Sequence, residues 1–372
     1  MNHSLTTFGA LLVFGLAGCG DPGQPAPARS GAPASSAAAK PGGSAKPAAS
    51  APAMVYEHAF PKMAIPEDNA QSDAKVKLGH QLFFDKRLSK DGSRACYSCH
   101  MNENGGGGKD PLAIGAEEKT LTRHSPVIWN VGYLGSFYWD GRSGSLEEQA
   151  KAAWAGGNMG VGKDNLEAKA KEIEKIADYK KAFDEVFPGV GVTPDSIVQA
   201  ISAFERTLVC DDTAYDKFAK GDASALTAEQ KQGAELFMGK AGCANCHAPP
   251  FFSIAYASKE GAYFNAGIGT KDKAEADVDV GRFSVSKKDS DWAAFKVPTL
   301  RNIPNTAPYF HDGSVATLKE AVTLMAGGGI KNKNLSALLS DKALTPAEID
   351  AIVAFLGSLD CKKSIPEPEL PK

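Results

Sequence analysis

The chain has 372 residues, of which 43% are hydrophobic, and its formal net charge at pH 7 is −3. This length predicts two domains with additional segments, and the apolar fraction is typical of a globular protein with a substantial core. The nearly balanced charge gives no electrostatic reason to expect nucleic acid or an anionic membrane surface as a partner.

The N-terminus has the pattern of an export signal. An apolar run at residues 8–16 leads into L-A-G-C, which ends at Cys19 and resembles the cleavage box of a bacterial lipoprotein. The first seven residues carry no Lys or Arg, so an ordinary cleaved signal peptide stays open as the alternative. We predict a lipoprotein signal peptide over residues 1–19, a periplasmic location and membrane attachment through Cys19.

Residues 20–53 consist almost wholly of Ala, Pro, Gly, Ser and Lys. Such a composition cannot form a core, so we predict a disordered tether. The remaining chain divides by sequence into a first folded domain over residues 54–209 and a second over residues 210–372.

Each of these domains contains one C-x-x-C-H motif, which is the attachment signature of a c-type haem. The two thiols bond to the porphyrin, and the adjoining imidazole becomes the proximal iron ligand. A single copy could also be a redox or zinc motif, but two copies with matching flanks indicate a duplicated haem module. The predicted attachment residues are Cys96, Cys99 and His100 for the first haem c, and Cys243, Cys246 and His247 for the second.

The flanking segments repeat in the same order. K-x-G-x-x-L-F begins at Lys77 and again at Lys231, and a proline four residues before an asparagine recurs at Asn130 and Asn302. W-D-G, which begins at Trp139, then corresponds to a later H-D-G. The chain is therefore predicted to hold two related haem domains in tandem.

Helical signals dominate the rest of the sequence. Residues 164–187 alternate charged and apolar positions at helical spacing, and Thr193 with Pro194 suits a helix start. Another capping box begins at Thr345. No strand alternation is convincing, and the proline-rich end after Cys361 is predicted to be loose. The expected fold class is mainly α, with two tandem cytochrome c-like haem domains and long loops.

Two further cysteines, Cys210 and Cys361, each follow an apolar helical stretch. An exported protein can form disulfides. A bridge between these two cysteines and two separate thiols are equally compatible with the sequence.

The task of a haem depends on the group opposite its proximal histidine. Met325 lies on a short amphipathic stretch at residues 318–325, where spacing alone allows either a core residue or an iron ligand. The corresponding first-domain segment, residues 146–159, should place Asn158 and Met159 over the distal face of the first haem. Asn158 can hydrogen-bond a bound oxygen species, whereas ligation by Met159 would close that site.

From residue 79 to residue 359 the sequence resembles the bacterial di-haem cytochrome c peroxidases. The motifs that carry the resemblance are L-F-F-D-K-R-L-S from Leu82, W-D-G-R from Trp139, K-V-P-T-L-R-N from Lys296 and T-A-P-Y-F-H-D-G-S from Thr306. The resemblance implies that hydrogen peroxide is reduced at the haem on His100, with His100, Trp139 and Asn158 as catalytic residues.

The resemblance also implies the route of the electrons. The haem on His247, with Met325 as its second axial ligand, accepts them from a small cytochrome c or cupredoxin, and Trp139 relays them between the haems. Thr306 and Pro308 match positions that donate backbone carbonyls to a calcium ion. Related proteins are often dimers, so a homodimer is an expectation.

The sequence departs from the family pattern at three positions. Ala116 stands where a distal histidine is usual, so the first haem is expected to be five-coordinate at rest. His124 replaces an asparagine that helps to bind calcium. Asn158 replaces a glutamate, and an amide cannot transfer a proton as a carboxylate does. Glu117, Glu118 or a water are candidates to replace that carboxylate.

Three functions are compatible with these features. The first is a peroxidase, and the second is a di-haem electron-transfer relay that has lost efficient peroxide chemistry. The third is a di-haem oxidase of a partner molecule, as in the methylamine-utilisation relatives, which carry a tyrosine where Met325 lies.

Overall fold

A computed structural model of the chain describes residues 59–258 and 260–372. The chain divides into two units, residues 1–54 and 55–372, and all the described residues belong to the second unit. The predicted signal peptide, the tether and Cys19 lie outside the described residues. In the part that the structure describes, no helix is both long and apolar enough to cross a membrane.

The described residues form a mainly helical structure, which confirms the predicted fold class. The first half of the described chain, residues 59–209, contains five α-helices: α1 (Asp73–Phe84), α2 (Leu146–Ala155), α3 (Leu166–Glu174), α4 (Ala177–Val186) and α5 (Pro194–Glu205). The second half contains α6 (Ala214–Ala219), α7 (Ala228–Met238), α8 (Phe283–Ser286), α9 (Leu318–Ala326) and α10 (Pro346–Gly357). Two short strands that the sequence did not predict, β1 (Tyr263–Phe264) and β2 (Phe295–Lys296), pair antiparallel.

The sequence duplication appears as two equivalent helix pairs. Helix α1 crosses α5 in the first half, and α7 crosses α10 in the second. The glycine of each K-x-G-x-x-L-F motif lies at its crossing: a Cβ at Gly79 would collide with the carbonyl oxygen of Ala200, and one at Gly233 with that of Ala351. The repeated glycine therefore allows the backbones of the paired helices to approach closely.

Both predicted helix starts are confirmed. Thr193 and Thr345 are N-caps whose side chains accept hydrogen bonds from the backbone N–H three residues later. The prediction of one continuous helix over residues 164–187 is wrong, because the chain leaves helical geometry at Ile176, between α3 and α4.

A disulfide between Cys210 and Cys361 joins the two halves. The backbone N–H of Cys210 donates to Asn130 Oδ1 at 2.8 Å, and that of Cys361 donates to Asn302 Oδ1 at 3.0 Å. Both asparagines adopt a left-handed conformation with φ of 65°. The disulfide therefore connects equivalent points of the two repeats.

The segment after Cys361 is fixed on the first half of the chain, so the prediction of a loose end is wrong. Ile365 is 1% exposed. Asn102 accepts from the N–H of Ile365 at 2.7 Å and donates to its carbonyl at 2.8 Å, and His80 Nε2 donates to the carbonyl of Pro366 at 2.6 Å. Side chains of the first half thus satisfy the backbone groups of a segment that has no secondary structure of its own.

Candidate haem sites

A cavity of about 460 Å³ borders Cys99 and His100. The residues of the first C-x-x-C-H motif form a 3₁₀ turn over Cys96–Cys99, and the His100 ring follows it. His100 Nδ1 lies 3.2 Å from the carbonyl oxygen of Gly106, which fixes this nitrogen as the donor and leaves Nε2 to bind a metal. Burial lowers the pKa of His100 to about 4, so the imidazole is neutral at pH 7.

A second cavity of about 240 Å³ borders Cys243, Cys246 and His247. His247 Nδ1 lies 3.0 Å from the carbonyl oxygen of Phe252, and burial lowers the pKa of this imidazole to about 4. Two thiols and a neutral, oriented imidazole are the groups that covalent haem attachment requires. The residues present at this cavity therefore fit a haem c.

Helix α9 lies along the second cavity and presents its apolar face to it. Five residues of this helix line the cavity at helical spacing: Leu318, Ala321, Val322, Met325 and Ala326. The apolar face of the predicted stretch is therefore a cavity wall. Met325 shares the wall with His247, as a second axial ligand must.

The two cavities have a common wall. Seven residues line both of them: Trp139, Lys296, Val297, Pro298, Ile303, Tyr309 and Phe310. The indole N–H of Trp139 donates to the carbonyl of His124 at 2.9 Å, and the backbone carbonyl of Trp139 accepts from the N–H of Lys296 at 2.8 Å. Trp139 is therefore held in place between the two cavities.

An arginine from the second half of the chain clamps the turn that follows Trp139. Arg282 donates to the carbonyls of Asp140 and Gly141 at 3.0 and 3.1 Å. The Asp140 carboxylate also pairs with Arg123, at 2.7 Å, and with Arg142, at 2.9 Å. These contacts form a polar network next to the common wall, and this network joins both halves.

Asn158 lines the first cavity together with Gly157. The carbonyl of Asn158 accepts from the N–H of Ala116 at 3.0 Å, so the loop is anchored to the segment around Ala116. Met159 instead packs in the hydrophobic core of the first half, 5% exposed, and is not part of the cavity wall.

Glu117 and Glu118 lie on the protein surface. Their side chains are 56% and 78% exposed and pair with Lys90 at 2.7 Å and Arg94 at 2.8 Å. Neither glutamate lines the first cavity.

Comparison with known proteins identifies the family. One family model, described as di-haem cytochrome c peroxidase, matches residues 73–224, and another, described as cytochrome c, matches residues 230–360. The chain is 36% identical over 304 residues to the cytochrome c551 peroxidase of Pseudomonas aeruginosa, covering 81% of this chain and 82% of that protein. This chain belongs to the di-haem cytochrome c peroxidase family.

Two other relatives show the breadth of this family. The chain is 33% identical over 309 residues to the methylamine utilization protein MauG of Methylorubrum extorquens, covering 82% of this chain and 84% of that protein. The crystal structure of a MauG-like protein associated with microbial copper homeostasis matches with a TM-score of 0.76 and 30% identity, covering 84% of this chain and 98% of that one. Members of this di-haem family carry two covalently bound haem c groups, in agreement with the two cavities.

One residue of the first cavity was not predicted from the sequence. Glu205 lines the first cavity, is 6% exposed and is the one Asp or Glu among the described residues of that wall. It follows Ile197 and Ile201 at intervals of four residues, which places it on the buried stripe of α5. That spacing is the signal that could have revealed it.

Only some of the expected calcium ligands are present at the predicted calcium site. Thr306 and Pro308 line the first cavity, but His124 turns Nδ1 toward the carbonyl of Asp110 at 2.9 Å. Calcium prefers oxygen ligands, which an imidazole does not supply. Among the described residues there is also no group of three or more His, Cys, Asp or Glu side chains that could hold a metal ion.

Proposed function

We propose that this protein is a periplasmic cytochrome c peroxidase that reduces hydrogen peroxide to water with electrons from a small cytochrome c or cupredoxin. The supporting observation is the difference between the two cavities. A methionine, Met325, lines the second cavity together with the proximal histidine, whereas the wall of the first contains no methionine among its described residues. In this proposal a haem in the second cavity would be held by His247 and Met325, whereas one in the first, held by His100, would keep a position for peroxide.

The residues divide the reaction between the two sites. His247 and Met325 hold the haem that receives electrons, because a thioether favours the reduced metal and raises its potential. Trp139, in the wall common to both cavities, relays the electrons. His100 is the proximal ligand at the peroxide site. Each peroxide molecule consumes two electrons and two protons and yields two water molecules.

Asn158 orients the peroxide in this proposal. Asn158 lines the first cavity, and its side-chain amide can both donate and accept a hydrogen bond. It cannot take up and return a proton, a contribution that is typically worth about 10²–10⁴-fold in rate. We therefore propose a peroxidase whose proton transfer depends on another group of the site.

Two other functions would give different experimental results. A di-haem relay would pass electrons without consuming peroxide, and the replaced distal groups favour it. A di-haem oxidase would remove electrons from a partner molecule, and the similarity to MauG favours that function. The presence of Met325 favours the peroxidase over the oxidase, because the methylamine-utilisation relatives carry a tyrosine at this position.

Spectroscopy of the holoprotein tests the proposal. We expect one high-spin and one low-spin haem in the oxidised resting protein, and peroxide consumption that depends on a reduced donor. Two low-spin, fully ligated haems in both the oxidised and the half-reduced protein would leave peroxide no place to bind, and the peroxidase function would have to be abandoned.

Location, anchoring, calcium and oligomeric state are further parts of the proposal. Haem c attachment and the Cys210–Cys361 disulfide both suit an oxidising compartment outside the bacterial cytoplasm. We propose lipid attachment through Cys19, one calcium ion at the Thr306 and Pro308 carbonyls, and a homodimer. Mass spectrometry of the mature protein tests the lipid attachment, since a lipidated Cys19 adds the mass of the acyl chains.

A further inference from the structure

The wall of the first cavity contains a buried carboxyl oxygen that accepts no hydrogen bond from any described residue. Glu205, the last residue of α5, is 6% exposed, and its Oε2 atom has no hydrogen-bond partner among the described residues. A buried polar atom that lacks a partner is costly, and in a native structure it commonly marks a functional position. Because Glu205 borders the space that a haem fills, its charge acts directly on that haem.

Glu205 forms no ion pair among the described residues, although Arg206 lies close enough to act on its charge. Arg206, from the same helix end, pairs with Glu147 of α2 at 2.8 Å. The third neighbour is the thiol of Cys96 on the haem-attachment turn, and Lys75 of α1 lies beyond, near Arg206 and Glu147. Burial raises the pKa of Glu205 to about 8, against a smaller lowering by Arg206. The neutral carboxylic acid is therefore accessible near neutral pH.

We infer that Glu205 is the redox-linked proton carrier of the first haem site, binding a proton from solvent when this site gains an electron and releasing it when peroxide is reduced. An added electron makes the cavity more negative, which favours the protonated carboxyl. Uptake of one proton at Glu205 for each electron keeps the net charge of the cavity constant. The redox-linked uptake needs only the haem, whereas the release step rests on the proposed peroxidase function.

This role would supply the proton donor that the distal loop itself does not provide. The distal loop carries an amide, Asn158, at a position that needs a proton donor, while Glu117 and Glu118 point to solvent. Glu205 supplies the titratable group from a different helix. The second proton for each peroxide comes from solvent.

The experiment is a redox titration of both haems in the holoprotein from about pH 6 to about pH 10, followed by optical spectroscopy. Where one proton accompanies one electron, the potential of the first haem falls by about 59 mV per pH unit, which corresponds to a tenfold change in equilibrium constant. We expect this slope in the wild-type protein above about pH 8, where Glu205 is ionised before the electron arrives, and a flat profile below it. Glu205→Gln should be flat throughout. The second haem should be unchanged.

Two controls keep the test decisive. Glu147→Gln removes the neighbouring carboxylate and should keep the slope, and Glu205→Asp should keep a slope displaced along the pH axis. Infrared difference spectra of the wild-type protein, reduced minus oxidised, should show a carboxylic acid band, which tests the idea even where Glu205→Gln does not fold. A flat wild-type profile, or an equal slope in Glu205→Gln, overturns the inference. If the wild-type protein shows the slope but does not turn over peroxide, only the peroxidase function is contradicted.

Discussion

Asn158 carries an amide in the wall of the first cavity, where the family resemblance predicts a carboxylate. Asn158→Glu places a carboxylate in the wall of the first cavity, on a loop that the N–H of Ala116 already anchors. We expect peroxide turnover to rise, by up to about 10²-fold, because a carboxylate can move the proton between the two oxygens. Steady-state kinetics with a reduced donor measures this. Asn158→Gln, which keeps the amide, is the matched control, and equal rates in both variants would show that this position does not limit turnover.

Met325 and Met159 offer a matched pair of methionines, one on each distal segment. Met325 lines the second cavity, whereas Met159 is 5% exposed in the core of the first half. Met325→Ala should lower the high-potential couple sharply, because the iron loses its soft ligand. Met159→Ala should leave both potentials in place and lower the free energy of unfolding by about 2–5 kcal/mol. Potentiometric titration of the two variants checks this, and an unaltered couple in Met325→Ala would exclude it as the ligand.

Individual residues show how far sequence reasoning reaches. The haem cysteines and histidines can be recognised because covalent attachment imposes a fixed local spacing. For Met325, spacing alone leaves a core residue and an iron ligand equally open, and only the family resemblance favours the ligand. Lys296, which lines both cavities and donates to the carbonyl of Ser136 at 2.6 Å, carries no such local signal, because its surroundings come from residues 160 positions away.

At the scale of the helices, the two motif glycines lead to a prediction that runs against helix propensity. In a free helix, Gly→Ala is favourable by about 1 kcal/mol. Gly79→Ala and Gly233→Ala should instead lower the urea midpoint, because the new methyl group would meet the backbone of the crossing helix. Gly357→Ala, at the end of α10, is the control: its Cβ would meet nothing within 4 Å, so this variant should be neutral or slightly more stable. Equal stability of all three variants would mean that the crossings tolerate a methyl group.

The boundary between α3 and α4 shows what periodicity cannot reveal. Ile173, Ile176, Tyr179 and Phe183 keep a spacing of three to four residues through the point where the helix ends. No proline or glycine marks the break. The chain turns there while α4 places Tyr179 and Phe183 in the core, and the Tyr179 hydroxyl donates to Asp85 Oδ2 at 2.8 Å. The partner that fixes α4 is 94 residues away, so local pattern predicts one helix.

At the scale of the whole molecule, the two repeats are joined by contacts that the sequence does not predict. The sequence leaves the pairing of Cys210 with Cys361 open, because it does not show that the two repeats place these cysteines at equivalent points. The segment after Cys361 has the composition of a loose end, yet it docks through its backbone groups. Asn102, whose side chain brackets Ile365, lies 263 residues from it.

The disulfide and the docked segment should act together on stability. Closing a loop with a sequence separation of 151 residues stabilises the folded state by roughly 5 kcal/mol in the chain-entropy account, within an observed range of about 2–5 kcal/mol for native disulfides. The double variant Cys210→Ser with Cys361→Ser should therefore lower the urea midpoint strongly. Asn102→Ala should lower it less, because it removes two hydrogen bonds to Ile365.

Combining these changes tests whether the two features are coupled. Cys361 begins the segment that Asn102 holds, so the docked segment loses part of its alignment when the disulfide is absent. We expect Asn102→Ala to cost less in the disulfide-free protein than in the wild type, a non-additivity that a double-mutant cycle measures. Strictly additive losses would show that the disulfide and the docked segment stabilise the molecule independently, and the C-terminal residues would then be a separate attachment to the first half.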